Sequence, residues 1–533
     1  MFKNYFLIAL RHMRRQMLYS FINVVGLALG MACSLVIFLY VYGEWSYDRH
    51  LLNNDRIYRI GVSFFNMGNF ANGPEMLADV LPSSFEGIEA FTRFRRNGDE
   101  VLNVDGEVFK DLVYYVDSSF FKVFSYEFLE GSPLTAMTRP RSIVLTQSMA
   151  EKYFETVQAL GKTIGVGKEK VPHTVTGIVK DDNRNSHLRA KVWTTLNLDP
   201  HKQYYWTSAA TYNYVLLREN VTQKALAGAL ETVIADHVFP TAGRAMGKKS
   251  VEEYKADPNS VKFFIHPLKE IYLKSKLSLE LSPGGSATNM IIFGIIAVSI
   301  LVLAGVNFIN LSTARATRRA KEVGIRKTLG TTRPRLISQF LMESVMVSVL
   351  SMIVALGIAE LFTFAFFWIT GQQLSINLWT SLWSIIAVLG FSIVVGLVAG
   401  MYPAFYLTSF QPVKVLKGTF AGSQRRSFLN SLVVFQFAIS ITLIICTIII
   451  ARQLSFMSNK DLGFNEENTL TIDNIDLTEN RFRAFKDEVL QHADVVNASL
   501  HTGEPGSKAV ITFYTFQTSE MPNALTINTY FGD

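Results

Sequence analysis

The sequence predicts an α-helical membrane protein with a large α+β extracytoplasmic domain, and three observations carry that reading. Residues 18–42, 281–314, 361–413 and 427–451 contain no Asp, Glu, Lys or Arg, and residues 336–359 contain only Glu343. Each run is long enough to cross about 30 Å of hydrocarbon, which takes about 20 helical residues. Mean hydropathy is +0.22 and 49% of the residues are hydrophobic, values that together point toward a membrane protein. Charge is also divided by position. The segments 1–17, 315–335 and 414–426 hold four, eight and four basic residues against the single acid Glu322, while the remainder carries 35 basic and 43 acidic residues.

That division fixes the expected topology, because short basic segments beside spans stay on the cytoplasmic side. Residues 1–17 place Phe2, Phe6, Leu10, Met13 and Met17 at helical spacing with Arg11, Arg14 and Arg15 off the stripe. This predicts an amphipathic helix lying on the lipid headgroups of the inner surface. The first span follows over 18–42 and ends in Tyr40, Tyr42, Trp45 and Tyr47, an aromatic boundary on the outer side. Gly30-Met31-Ala32-Cys33 faintly matches a lipoprotein cleavage site, but the apolar run continues past Cys33 and predicts an uncleaved anchor.

Residues 43–287 form the expected outer domain. Cys33 and Cys446 are the two cysteines and both lie in spans, so this domain must stand on its own core without a disulfide. VLNVDGEVF (101–109) reads as a hairpin turning at Asp105-Gly106. SIVLTQSMAEKYF (142–154) reads as a strand entering a helix capped by Thr146 or Ser148. HTVTGIVKD (173–181) and TYNYVLLRE (211–219) read as strands, and 222–238 has helical periodicity. The outer histidines His50, His173, His187, His201, His237 and His266 lack metal-ligand spacing and are expected to be solvated or hydrogen-bonded at the surface.

The remaining spans are expected at 288–314, 337–369, 379–408 and 427–451, with an elbow at 315–336, a short outer loop at 370–378 around Gly371-Gln372-Gln373, and a cytoplasmic loop at 409–426. Trp368, Trp379 and Trp383 mark that outer loop. Gly26 and Gly30 in the first span, and Gly396 and Gly400 in the fourth, have the small-residue spacing that lets helix backbones approach closely. Ser20-Phe21-Ile22-Asn23 follows Arg14-Arg15, and Ser427-Phe428-Leu429-Asn430 follows Arg425-Arg426, an offset of 407 residues. A full second copy would carry the chain to about 800 residues. Residues 452–533 are therefore expected to begin a second, incomplete outer domain.

No catalytic, cofactor or metal site is expected. TVQALGKT (156–163) resembles a phosphate-binding loop but has Thr156 where the first glycine must give the backbone its freedom. Ion-coupled transport needs midplane acids or broken helices, whereas Glu343 and Glu360 lie near the two ends of the third span. The elbow carries the most informative pattern. RRAKEVGIRKTLGTTRPRLI (318–337) has seven Lys or Arg against one Glu. Gly330 suits a helix C-cap, Thr331 or Thr332 can cap the next helix, and Pro334 fits its first turn. A basic elbow without aromatic residues disfavours nucleic acid. Topology alone explains its charges but not the interleaved Val323, Gly324, Ile325 and Leu329.

VNFINLSTARATRRAKEVGIRKTLGTTRPRLISQFLMES (306–344) resembles the signature of MacB/FtsX-type permeases of ATP-binding-cassette (ABC) systems, an E-[IV]-G-[IL]-R-[KR]-x-x-G core followed by a Q-F-L-x-E helix. YPAFYLTSFQPVKVLKG (402–418) and the segment from Ser142 to His187 agree with that family. The two-repeat members are the most similar, with the second outer domain incomplete and three further spans missing. The resemblance implies a bacterial inner-membrane location, a MacB-like periplasmic core domain, a homo- or pseudo-dimeric assembly, and an ABC transporter permease acting by mechanotransmission. It also implies that Glu322, Val323, Gly324, Ile325, Arg326, Lys327 and Gly330 form a coupling helix contacting a separate cytoplasmic ATPase subunit. An alternative is a membrane-anchored sensor or scaffold whose outer domain binds a ligand without ATP-driven movement.

Overall fold

In the computed structural model, the described residues are 11, 13–65, 68–182, 184–199, 201, 204–314, 316–370, 382–409, 423–460, 470, 479–499, 512–518 and 521–529. Most of the surface helix expected over 1–17, the outer loop at 371–378 with Trp379, most of the loop at 409–426, and much of 452–533 lie outside them. Among the described residues, five helices are long and apolar enough to cross a membrane: α1 (Met17–Trp45), α8 (Ala287–Ala314), α10 (Arg333–Thr370), α11 (Leu382–Thr408) and α12 (Ser423–Ser458).

The chain divides into two units, Met1–Thr442 and Leu443–Asp533. In the first unit α1 packs on α8 and α10, and α10 packs on α11. Leu27, Ala28, Met31 and Ala32 of α1 meet Met352, Ala355 and Ala359 of α10. The second unit contains a short helix, α13 (Glu479–Val489), and an antiparallel pair, β12 (Thr512–Thr518) and β13 (Met521–Thr529).

Between α1 and α8 lies an α+β domain. Its strands are β1 (Ile57–Ser63), β2 (Asn69–Phe70), β3 (Ile88–Val104), β4 (Glu107–Val116), β5 (Phe128–Glu130), β6 (Ser142–Thr146), β7 (Thr163–Val166), β8 (Val171–Val179), β9 (Val192–Thr195), β10 (Tyr212–Leu217) and β11 (Lys262–Pro267). They join one mixed sheet in the order β11-β1-β10-β3-β4-β9-β6-β8-β5, with β2 on β1, and β7 on β3 and β8. Successive residues alternate between its faces, as a pleated strand requires. Val113, Ile143, Ile178 and Val192 enter one core, while Tyr114, Val144, Val179 and Trp193 enter the other. The second core is aromatic, with Phe94 stacked on Tyr114, Tyr212 and Tyr214.

The β3–β4 turn uses Asp105 and Gly106 at φ 49° and 93°, the pair of left-handed residues a tight hairpin needs. The α4 helix (Gln147–Phe154) follows β6 directly, but neither Thr146 nor Ser148 caps it by accepting from its backbone. Instead Asp181 accepts from the Ser148 amide at 2.7 Å and from its hydroxyl at 2.6 Å. A carboxylate brought from another loop satisfies the helix start better than either neutral hydroxyl. The helical periodicity over 222–238 resolves into α5 (Gln223–Val233), capped by Thr222, and a π-helix at Ile234–Gly243.

The surface expectation fails for two histidines. His173 is 9% exposed and His187 is 2% exposed, and each ring nitrogen of His187 has a hydrogen-bond partner inside the domain.

Candidate functional site

The elbow is built by one short helix and one turn. Helix α9 (Ala316–Thr328) ends at Gly330, whose φ of +91° favours glycine. The Gly330 amide donates to the Lys327 carbonyl at 3.1 Å and the Thr331 amide to the Arg326 carbonyl at 3.0 Å, the paired bonds of a Schellman cap. The next helix opens with the Leu336 amide donating to the Thr332 carbonyl at 3.3 Å, and Pro334 lies in that first turn.

The elbow has a back and a front. Val323, at 2% exposure, packs with Leu336, Phe340, Ala404 and Leu407 from the third and fourth spans, and Gly324 is buried. Val323, which the resemblance assigns to the partner contact, instead faces the spans, and burial of its branched side chain fastens α9 to the bundle. Arg326 donates to Glu322 at 2.6 Å and to Gln339 of the third span at 3.0 Å. Lys327 donates to the Thr408 carbonyl at 2.7 Å, where a cation suits the C-terminal end of the fourth helix. Burial, with Arg333 nearby, holds the Lys327 ammonium below its ordinary pKa. These two cations thus bind the elbow to its own spans rather than project from it. The front presents Ile325 at 46% exposure and Leu329 at 81%. Leu329 is the residue the family motif passes over, being one of its variable positions; its only signal is an apolar side chain beside a glycine cap.

Gly26, Gly30, Gly396 and Gly400 each face a neighbouring helix of the same chain. A Cβ on Gly26 would lie 3.3 Å from Asn307 Nδ2, and one on Gly30 would collide with Ala304 Cβ, both on the second span. A Cβ on Gly396 would lie 2.8 Å from Val345 Cα, and one on Gly400 2.5 Å from Ser344 Cβ, both on the third. Ser348 adds an interhelical bond, donating to the Ser392 carbonyl at 2.7 Å. Beside this contact Glu343 lines a cavity of about 30 Å³ with Tyr19, Asn23, Ser312 and Ser344, room for about one or two water molecules.

In the outer domain a cavity of about 200 Å³ is lined in part by His50, Asp181, Asp182, Arg184, Ser186 and Trp193. Its carboxylates are already committed: Asp181 to Ser148, and Asp182 to His50 at 3.1 Å and Arg184 at 2.8 Å. The residues resembling a phosphate-binding loop serve the sheet, with Lys162 over the Phe154 ring at 4.7 Å and Thr163 opening β7.

Comparison with known proteins places these parts. The MacB-like periplasmic core domain family matches residues 20–233, and the FtsX-like permease C-terminal family matches residues 294–412, which include the elbow. The chain belongs to the MacB/FtsX-type ABC transporter permeases. Over 278 residues this permease is 25% identical to the macrolide export ATP-binding/permease protein MacB of Neisseria gonorrhoeae, covering 51% of this chain and 38% of that protein. Over 283 residues it is 25% identical to the uncharacterized ABC transporter permease YknZ of Bacillus subtilis, covering 51% of this chain and 61% of that one. A solved domain of a putative permease protein from Porphyromonas gingivalis aligns over 46% of this chain and 99% of its own, with 18% identity and a TM-score of 0.33. The chain thus spans about two fifths of the length of the MacB relative. Within the permease, the sheet domain between α1 and α8 is extracytoplasmic, and the chain is a membrane protein.

Proposed function

We propose that this permease is the transmembrane subunit of an ABC transporter, with its N-terminus and elbow in the cytoplasm, and that it passes ATP-driven motion of a separate ATPase subunit to the outer domain for export or extraction of a substrate. The observation that carries the reading is the two-faced elbow. Its back is fixed to the third and fourth spans by Val323, Arg326 and Lys327, while Ile325 and Leu329 stay exposed on its front. An exposed apolar pair on an elbow of basic sequence suits docking in a groove of a cytosolic partner, with charge steering the encounter. The back then matters as much as the front, because a contact moves the spans only if the elbow is tied to them. A homo- or pseudo-dimeric assembly of such bundles fits the family.

The test is co-purification with, and stimulation of, the cognate ATPase. Leu329→Asp and Ile325→Asp are expected to remove association while membrane insertion and folding persist. Arg326→Glu is expected to keep a weakened association but lose stimulation, because the elbow loses its tie to Gln339. Undiminished association and stimulation in all three variants would refute the assignment.

A further inference from the structure

The two chain segments that join the spans to the outer domain each send a carboxylate into that domain, and the two are bridged by one buried polar chain. Asp48 lies three residues beyond the end of α1 at Trp45 and is fully buried. Its carboxylate accepts from the Ser186 hydroxyl at 2.6 Å, from the His187 amide at 3.2 Å and from His187 Nδ1 at 2.7 Å. The carboxylate only accepts, so Nδ1 carries the proton. His187 Nε2 is bonded to the Tyr214 hydroxyl at 2.7 Å. Tyr214 in β10 sits directly opposite Arg59 in β1. Arg59 is fully buried and donates through both terminal nitrogens to the two oxygens of Glu280 at 2.6 Å each, and to Ser275 at 3.0 Å. Glu280 lies seven residues before α8 begins at Ala287.

A second contact lies closer to the membrane. Tyr272 donates to Glu44 in the last turn of α1 at 3.0 Å, stacks on Tyr47 at 3.4 Å, and through its carbonyl accepts from the Gly285 amide at 2.8 Å. One tyrosine thus holds the end of the first span beside the start of the second.

Apolar residues of the same volume would stabilise this core as well as buried charges do. What polar contacts add is fixed direction and distance between groups, with Tyr214 and Arg59 meeting here as cross-strand neighbours. We infer that Asp48–His187–Tyr214–Arg59–Glu280 is a rigid joint, a set of positioning residues that fixes the outer ends of the first and second spans to the sheet. Displacement of those spans is then delivered to the domain instead of being lost in the linkers. The inference rests on the proposed transmission of motion, but its test needs no ATPase.

The test uses the full chain in lipid nanodiscs, with Cys33→Ala and Cys446→Ala, and spin labels at lipid-facing Phe38 of α1 and exposed Val108 of β4. Pulsed electron resonance is expected to give one narrow distance. His187→Leu and Glu280→Gln are each expected to broaden or split it, while circular dichroism and the melting of the domain show it folded. Glu280→Gln keeps the shape of the side chain and decides the matter if His187→Leu does not fold. Arg59 and Asp48 remain untouched, and His187→Gln, which retains a polar group between Asp48 and Tyr214, is expected to restore most of the narrow distribution. A distribution unchanged in both disruptive variants would overturn the joint. A narrow distance in the unaltered protein together with no ATPase stimulation would instead count against the coupling reading and leave the joint standing.

Discussion

The two ends of the span bundle are fastened by opposite chemistry. At the elbow end, Val323 sits in an apolar pocket and two cations reach a neutral amide and a backbone carbonyl. At the domain end, Asp48 and Glu280 are held by a buried histidine, tyrosine and arginine. The difference follows from what surrounds each end. A folded sheet can enclose a full set of partners for a buried charge, and without them a buried charge is severely destabilising. A short helix at a bundle end cannot, so it relies on apolar burial and on the partial charge of a neighbouring helix terminus. One end is therefore suited to exchange a partner, and the other to keep its geometry.

Four measurements would break or sharpen that contrast. The largest effect is expected at the domain end: Arg59→Met leaves Glu280 without its cation and should cost about 3–5 kcal/mol of domain stability, read by chemical denaturation. Next is the bundle itself, where Gly400→Leu drives a side chain into Ser344 and should cost about 1–3 kcal/mol, read as a lower melting point in detergent. Third is acid sensitivity. Burial alone would raise the Asp48 carboxyl, but the His187 ring, the Ser186 hydroxyl and the His187 amide overcome it and hold it below the usual carboxylate range. Its contribution is thus fully present above the unfolded value of about 4 and is lost as pH falls through the lower folded value. Asp48→Asn should lower stability at neutral pH and flatten its decline in acid; an unchanged acid slope would show that this carboxylate is not the group titrating. The smallest stability effect is expected at the elbow's front, where Leu329→Asp should shift stability by under about 0.5 kcal/mol. A larger loss there would mean that the front is part of the fold.

Much of the fold was legible because hydrocarbon and tight turns impose strict local rules. Four charge-free runs and one holding only Glu343 marked the five apolar helices, Asp105-Gly106 marked the β3–β4 turn, and Gly330 marked the elbow's cap. The sheet order was not legible, since the parallel pairing of β4 with β9 joins Val113 to Val192 through side-chain fit and no local signal. The burial of His187 has no local signal for the same reason: it depends on Asp48, which lies 139 residues away. At the elbow, periodicity placed apolar and basic residues on one short helix without saying which face the spans would occupy. Only the packing of Leu336, Phe340, Ala404 and Leu407 around Val323 separates back from front.

The close approach of the third and fourth helices also limits how they can move. Sliding one along the other would break the Ser348–Ser392 bond and disturb the close fit of Gly396 and Gly400 against Val345 and Ser344, where even a Cβ has no room. Tilting the pair about that same contact leaves both intact. The glycine contacts therefore obstruct a piston stroke of one helix against the other and leave tilting about the contact as the less hindered motion.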